Sequence, residues 1–328
     1  AGLGSATAAP SPDEPGRFAF DAAPDRFRAD ALLDLRSLNE ERAGGKGYVR
    51  TTPDGDFVRG DGKPLRFWAV NSFVGQAKTA ERRPLWPWDP PDLARHARFL
   101  AKRGVNLVRL HAQLSPDPKA KPLPSLGDVN ETEREWIWRA VAAYRKEGIY
   151  VAISPYWANA LSPVPAWGLG TGNGHALLFL EPRLQAAYRA WWKALLVPKN
   201  PHTGLPLAKD PGVAFLQLQN EDSLLFWTLN GVEGAPRRRL GERFGAWASQ
   251  RYGSAAKAVA AWHGDRLPAD DVPAGVLDVH NLWHLTSEGR GGDPVRLADE
   301  TRFLGETMRG FFADTVRFLR EDLGCQAL

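Results

Sequence analysis

Apolar positions along this chain fall into two alternating patterns. Short, nearly unbroken apolar runs occur at 66–73 (RFWAVNSF), 105–111 (VNLVRLH), 149–155 (IYVAISP) and 213–221 (VAFLQLQNE). Runs of this length, rich in β-branched and aromatic residues, predict four strands. Between them, apolar residues recur every three or four positions, the period of a helix. Asp92 is placed to cap a helix carrying Leu93, Ala97, Leu100 and Ala101, with Gly104 as its stop. A second helix covers 131–147 with Ile137, Ala140, Val141 and Tyr144 inward, ending before Gly148. A third covers 182–197 with Leu184, Tyr188, Trp191 and Leu195. A helical run follows at 237–262. A last helix at 297–323 carries Leu304, Met308, Phe311, Phe312 and Leu319 on one face, closed by Gly324. Residues 325–328 read as the opening of a further strand.

Strand and helix alternate four times. That order predicts an α/β protein whose parallel strands are joined by right-handed helical crossovers. Two architectures use it, the doubly wound open sheet and the (β/α)8 barrel. A doubly wound nucleotide fold needs a glycine turn after its first strand, and Asn71-Ser72-Phe73 supplies none. The glycines between Gly168 and Gly174 follow a loop and do not match the dinucleotide spacing. Polar and aromatic residues gather at the C-terminal strand ends, where barrel sites lie, which favours a (β/α)8 TIM barrel. With about four βα units present, the barrel is expected to be truncated. Residues 1–27 read as a flexible leader and 28–64 as an extension holding a hairpin, its turn at Gly60-Asp61-Gly62. Residues 65–328 form the barrel portion, with an insertion at about 223–296.

Composition narrows the function classes. Of 328 residues, 43% are hydrophobic and 24% charged, enough apolar surface to exclude disorder as the main state. No apolar run is long enough to span a bilayer. Lys plus Arg exceed Asp plus Glu by 42 − 38 = +4, too little to argue for nucleic acid. One cysteine, Cys325, excludes an intrachain disulfide and a cysteine-based metal site. His280 and His284 are four apart but lack a partnering Glu, so no metal and no cofactor is expected. Oligomeric state is not legible. The small, Pro-rich start from Ala1 reads as what remains after removal of an export signal, giving a secreted or periplasmic expectation. The 13 Trp residues suit a protein that stacks on sugar rings, or simply a large core.

Candidate chemistry sits at the strand ends. Alternation puts Gln217, Gln219 and Glu221 on one side of the fourth strand and Arg109 and His111 on one side of the second. Polar groups inside a barrel are costly unless they bond to one another or to a ligand. Each has a plainer alternative: a surface carboxylate for Glu221, a structural salt bridge for Arg109, a satisfied buried ring for His111. Trp86, Trp88, Tyr156, Trp157, Trp167 and Trp227 lie in strand-end loops and could line a sugar cleft or pack ordinarily, with Trp157 the first choice. Trp136, Trp138, Trp191 and Trp192 lie in helices and are read as packing.

The segments GKPLRFWAVN (62–71), GVNLVR (104–109) and VAFLQLQNE (213–221) together resemble the clan of retaining glycoside hydrolases that includes cellulases, mannanases and β-galactosidases. The likeness covers about 57–222, and its most specific piece is Asn220-Glu221. Residues 244–262 also resemble inserts found after strand four in relatives. The resemblance implies Glu221 as general acid/base, Asn220 on the sugar 2-hydroxyl, and Arg109 supporting the nucleophile. His111, Tyr156 and Trp157 are further substrate-binding candidates. Such enzymes hold two carboxyl groups ~5–5.5 Å apart, and the nucleophile's charge keeps its partner protonated. The clan's nucleophile ends strand seven, so it is expected beyond this chain, and the 328 residues alone are expected to be inactive. Glu288 follows no apolar strand and is not assigned that role. The expected function is hydrolysis of O-glycosidic bonds in a poly- or oligosaccharide. The alternatives are a non-catalytic carbohydrate-binding pseudo-glycosidase and, more remotely, a barrel enzyme acting on a small polar metabolite.

Overall fold

The computed structural model describes residues 27–28, 30–31, 33–73, 90–170, 172–286 and 291–328. Most of the leader, the loop with Trp86 and Trp88, and Glu288 lie outside the described residues. Four parallel strands form one sheet in sequential order: β3 (Ala69–Phe73), β4 (Leu107–His111), β5 (Tyr150–Ser154) and β6 (Val213–Leu216). They are preceded by an antiparallel pair, β1 (Arg50–Thr51) and β2 (Phe57–Val58). Val58 also bridges Pro64 across a turn closed by Gly62 N–H to the Arg59 carbonyl, 2.9 Å. The helices are α1 (Pro90–Ala101), α2 (Glu131–Lys146), α3 (Leu177–Leu180), α4 (Pro182–Leu196), α5 (Gly234–Tyr252), α6 (Ala255–Ala261), α7 (Leu282–Thr286) and α8 (Pro294–Arg317). Among the described residues the sheet is open, and no helix is long and apolar enough to cross a membrane.

Local rules set these boundaries. The first helix begins at Pro90, so Asp92 lies in its first turn and not at the cap, as the sequence had suggested; proline's fixed φ suits that start. Asn130 caps α2 by accepting the Glu133 N–H, with Glu131 in the first turn and Arg145 and Lys146 in the last, matching the helix dipole. Gly148 then turns the chain at φ +74°, where a Cβ would stand 1.9 Å from the Glu40 carbonyl. The last helix continues as a wide turn over Phe318–Asp322 before Gly324. Leu328 exchanges two 2.8 Å backbone hydrogen bonds with β6, at Ala214 and Leu216, in the pattern of a parallel bridge.

Strand alternation sorts the sheet into two faces. Val108, Leu110, Val151 and Ile153 point into the helix-covered core with Tyr144, Tyr188, Trp191 and Leu195. On the other face, Leu107, Tyr150 and Ala214 pack with Phe57, Phe67 and Phe215 from the strands and the N-terminal extension. Phe57, Phe67 and Phe215 meet edge to face at 5.3–5.4 Å. This aromatic plug closes the base of the helix-free face and leaves its C-terminal end to polar residues. A separate cluster, built on Leu240, Phe244, Trp262, Leu277 and Leu304, fills the helical region after β6.

Glu133 sits buried against the end of β4, and its Oε2 has no hydrogen-bond partner among the described residues. Burial pushes its carboxyl up to about 8, with the Gln113 backbone N–H opposing. An unfolded chain ionises this group near its ordinary value, the folded one near 8. Its contribution to stability is therefore greatest at acid pH and declines as pH rises through that window. Glu133→Gln is expected to gain on the parent by ~1 kcal/mol per pH unit between pH 5 and 8. Urea denaturation across that range checks it; a difference that stays flat with pH would refute the assignment.

Candidate active site

Polar side chains converge at the C-terminal end of the helix-free face, and Arg109 is their centre. Register places Asn71, Arg109 and Ala152 side by side, with His111 beside Ser154 one layer above. Ala152 is small, which leaves the guanidinium room to lie across β5. Its Nε donates to Gln217 Oε1 at 2.6 Å and Nη1 to Asn71 Oδ1 at 2.9 Å. Its Nη2 donates to Asn220 Oδ1 at 2.5 Å and Ser154 Oγ at 3.2 Å. Four strands are thus tied through one cation, and among the described residues no carboxylate lies within ion-pair distance of it. Burial draws the guanidinium's pKa below its ordinary value, and the charge of Glu221 opposes that.

His111 lies 3.1 Å from Ser154 Oγ through Nδ1, and its ring faces Trp157 at 5.4 Å. Burial, then the Arg109 charge, hold its pKa below the ordinary value, against Glu221. The ring is therefore neutral near pH 7. Trp157 is half-buried, bridges Asn220 backbone to backbone, and donates its backbone N–H to Gln113 Oε1 at 2.7 Å. Glu221 is exposed at φ +45° and lines a pocket of about 770 Å³ with Trp157, His175, Asp222, Phe226 and Trp227. Among the described residues it makes no hydrogen bond or ion pair, but its charge is felt at both Arg109 and His111.

Three expectations are corrected. The strand ladder stops at Leu216, so alternation does not carry through to 221. Gln217 does reach Arg109, but Asn220, not Glu221, is the next side chain to do so. Tyr156 is fully buried on the opposite side from Trp157, packed on Tyr188 at 5.7 Å and Trp191 at 6.2 Å. Adjacent residues of an extended segment face opposite ways, so Tyr156 belongs to the helix-packed core and not to the pocket. Trp167 is likewise core, donating Nε1–H to the Pro124 carbonyl at 2.9 Å. Trp227 is 58% exposed on the pocket rim, beside Phe226, which is also exposed. His280 is buried against Glu300 at 2.9 Å, remote in role from this cluster.

The sequence did not single out Ser154, Gln113 or Asp222. Ser154 carried one signal, a hydroxyl at the end of an otherwise apolar strand. The other two depend on contacts 44 and 46 residues away. Among the described residues no group of three or more His, Cys, Asp or Glu is arranged to hold a metal ion. The arrangement offers a fixed cation without its own carboxylate, an exposed carboxyl group, a neutral imidazole and two indole faces.

No protein-family model matches the chain, and no curated protein matches it significantly. Solved structures similar to it include the endo-1,4-β-mannanase of Rhizomucor miehei, at 12% identity and TM-score 0.38 over 66% of this chain and 58% of that one. A glycoside hydrolase family 5 mannosidase from the same organism shows 14% identity and TM-score 0.41 over 67% and 54%. The endo-β-1,4-mannanase of Thermotoga petrophila shows 17% and 0.34 over 59% and 41%. The chain spans little more than half the length of the Rhizomucor proteins. Likeness of this degree carries no argument about this chain, and its own side chains must supply one.

Proposed function

We propose that this chain carries the acid/base side of a retaining β-glycosidase site for a poly- or oligosaccharide, on the first strands of a (β/α)8 barrel. The observation behind this is Arg109: a cation at four strand ends, hydrogen-bonded to Asn71, Ser154, Gln217 and Asn220 and lacking a carboxylate partner among the described residues. A guanidinium so placed favours an ionised carboxylate beside it. On this proposal that carboxylate is the nucleophile. Glu221, on the pocket wall, protonates the leaving oxygen. Asn220 has its carbonyl oxygen held by Arg109, so its amide N–H groups remain to donate to a sugar hydroxyl. Trp157 and Trp227 offer flat faces to sugar rings.

Soaking crystals with cello- and manno-oligosaccharides tests the proposal. Sugar density is expected between Trp157 and Trp227, with a hydroxyl near Asn220. Saturating ligand with no density there would overturn it. In titrations, Trp227→Ala is expected to weaken oligosaccharide binding by on the order of 1 kcal/mol, or roughly fivefold in Kd.

A further inference from the structure

Asp222 joins two segments that the sequence keeps far apart. Its Oδ1 and Oδ2 accept the backbone N–H of Ala176 at 3.0 and 2.9 Å. Oδ1 also accepts the N–H of Ser223 at 2.9 Å, and Oδ2 accepts Gln219 Nε2–H at 2.8 Å. The two residues on either side of this junction, Ala176 at φ +63° and Glu221 at φ +45°, occupy left-handed backbone without being glycine. Each such position is strained and persists only where its surroundings hold it. His175, one residue before Ala176, lines the same pocket as Glu221. Ser223 in turn accepts the Leu225 N–H at 3.0 Å, at the start of the Phe226–Trp227 rim. One carboxylate thus braces both walls of the pocket.

We propose that Asp222 is a positioning residue: it latches the 173–176 turn to the 221–223 turn and thereby fixes the backbone that presents Glu221. The role of Glu221 itself rests on the glycosidase proposal; the latch does not. The titratable groups facing Asp222 are the buried Tyr156 hydroxyl, which feels its charge, and His175 and Glu221 across the pocket. No cation pairs with it among the described residues. Burial raises the Asp222 carboxyl to about 6, with the Ala176, Ser223 and Gln219 bonds opposing. Only the ionised form can accept all these donors, so the latch is closed above that value and loosens as pH falls through it. A carboxyl whose pKa is raised on folding costs stability at neutral pH. Asp222→Asn removes that cost and is therefore expected to fold.

Amide hydrogen exchange in the 328-residue chain, corrected for intrinsic rates, tests the latch. In the parent, protection at Ala176 and Ser223 is expected to fall about tenfold from pH 7 to pH 5. In Asp222→Ala it should be low at both pH values, and in Asp222→Asn, whose amide oxygen can still accept both N–H groups, it should no longer change with pH. Parent-like protection and pH dependence in both variants would overturn the latch. In the active enzyme, Asp222→Ala should lower kcat about tenfold with KM nearly unchanged and shift the acid limb of the pH profile. Unchanged kcat there, where Glu221→Ala has lost activity, would also overturn it. Should Glu221→Ala leave hydrolysis intact, the glycosidase proposal fails, while exchange at Ala176 still decides on Asp222.

Discussion

Glu221→Ala in the active enzyme is expected to lower kcat by about 10²–10⁴-fold on glycosides with poor leaving groups, the range for removing a general acid. Activated aryl glycosides should lose far less, because their leaving groups depart without a proton. The measurement is log kcat/KM against leaving-group pKa across a series of aryl and alkyl β-glycosides. A steeper line for the variant supports the proton-donor role; parallel lines would end it. The same position makes a second, opposite prediction about stability. Glu221 is exposed and adopts φ +45°, a backbone conformation glycine takes without strain. Glu221→Gly is therefore expected to stabilise the fold by about 1 kcal/mol while losing the acid function. Gain of stability with loss of activity is a pairing that an idle surface carboxylate would not give.

Much of the scaffold was legible because it follows two short periods. The helix expected at 131–147 is observed as Glu131–Lys146, and the strand at 149–155 as Tyr150–Ser154. Burial on one face is enough to write those periods into the chain. The pairing of Arg109 with His111 was equally visible, since residues two apart in a strand share a face. What escaped was whatever depends on where regular pairing ends. Counting alternation past Leu216 gives Glu221 the inward position that Asn220 occupies, because the regular ladder, and strict alternation with it, ends at Leu216. Tyr156 and Trp157 both follow the third strand and read alike in the sequence, but one step along an extended segment reverses the side chain. Asp222 could not be found at all, since its donor Ala176 is brought to it by folding alone.

The largest expected effect on stability lies away from the pocket, at Arg296. It is fully buried, and its five N–H donors all find acceptors. Nε reaches Glu300 Oε1 at 2.9 Å, while Nη1 and Nη2 reach the two Asp270 oxygens at 2.8 and 3.1 Å. The Asp265 and Asp278 carbonyls take the remaining two at 2.8 Å. Its guanidinium also lies 5.0 Å from the Trp262 ring. Burial works to lower its pKa, but Asp270 and Glu300 outweigh that and leave it above the ordinary value. Arg296→Met would strip two buried carboxylates of their cation and two carbonyls of a donor, a loss of about 3–5 kcal/mol. Arg296→Lys should fare little better, since a compact ammonium cannot serve five separated acceptors. Thermal unfolding should show Tm lower by roughly 5 °C; a loss below about 1 kcal/mol would mean the network is not coupled to folding. The consequence reaches the pocket. Asn230, at the end of the turn that begins with Trp227, bonds Asn281 at 3.0 Å and the Leu282 N–H at 2.9 Å, and His280 beside them is held by Glu300. Loosening Arg296 therefore releases Glu300, then the start of α7, then the Trp227 rim. On the glycosidase proposal, Arg296→Met should weaken oligosaccharide binding at temperatures where the four-stranded sheet is still folded.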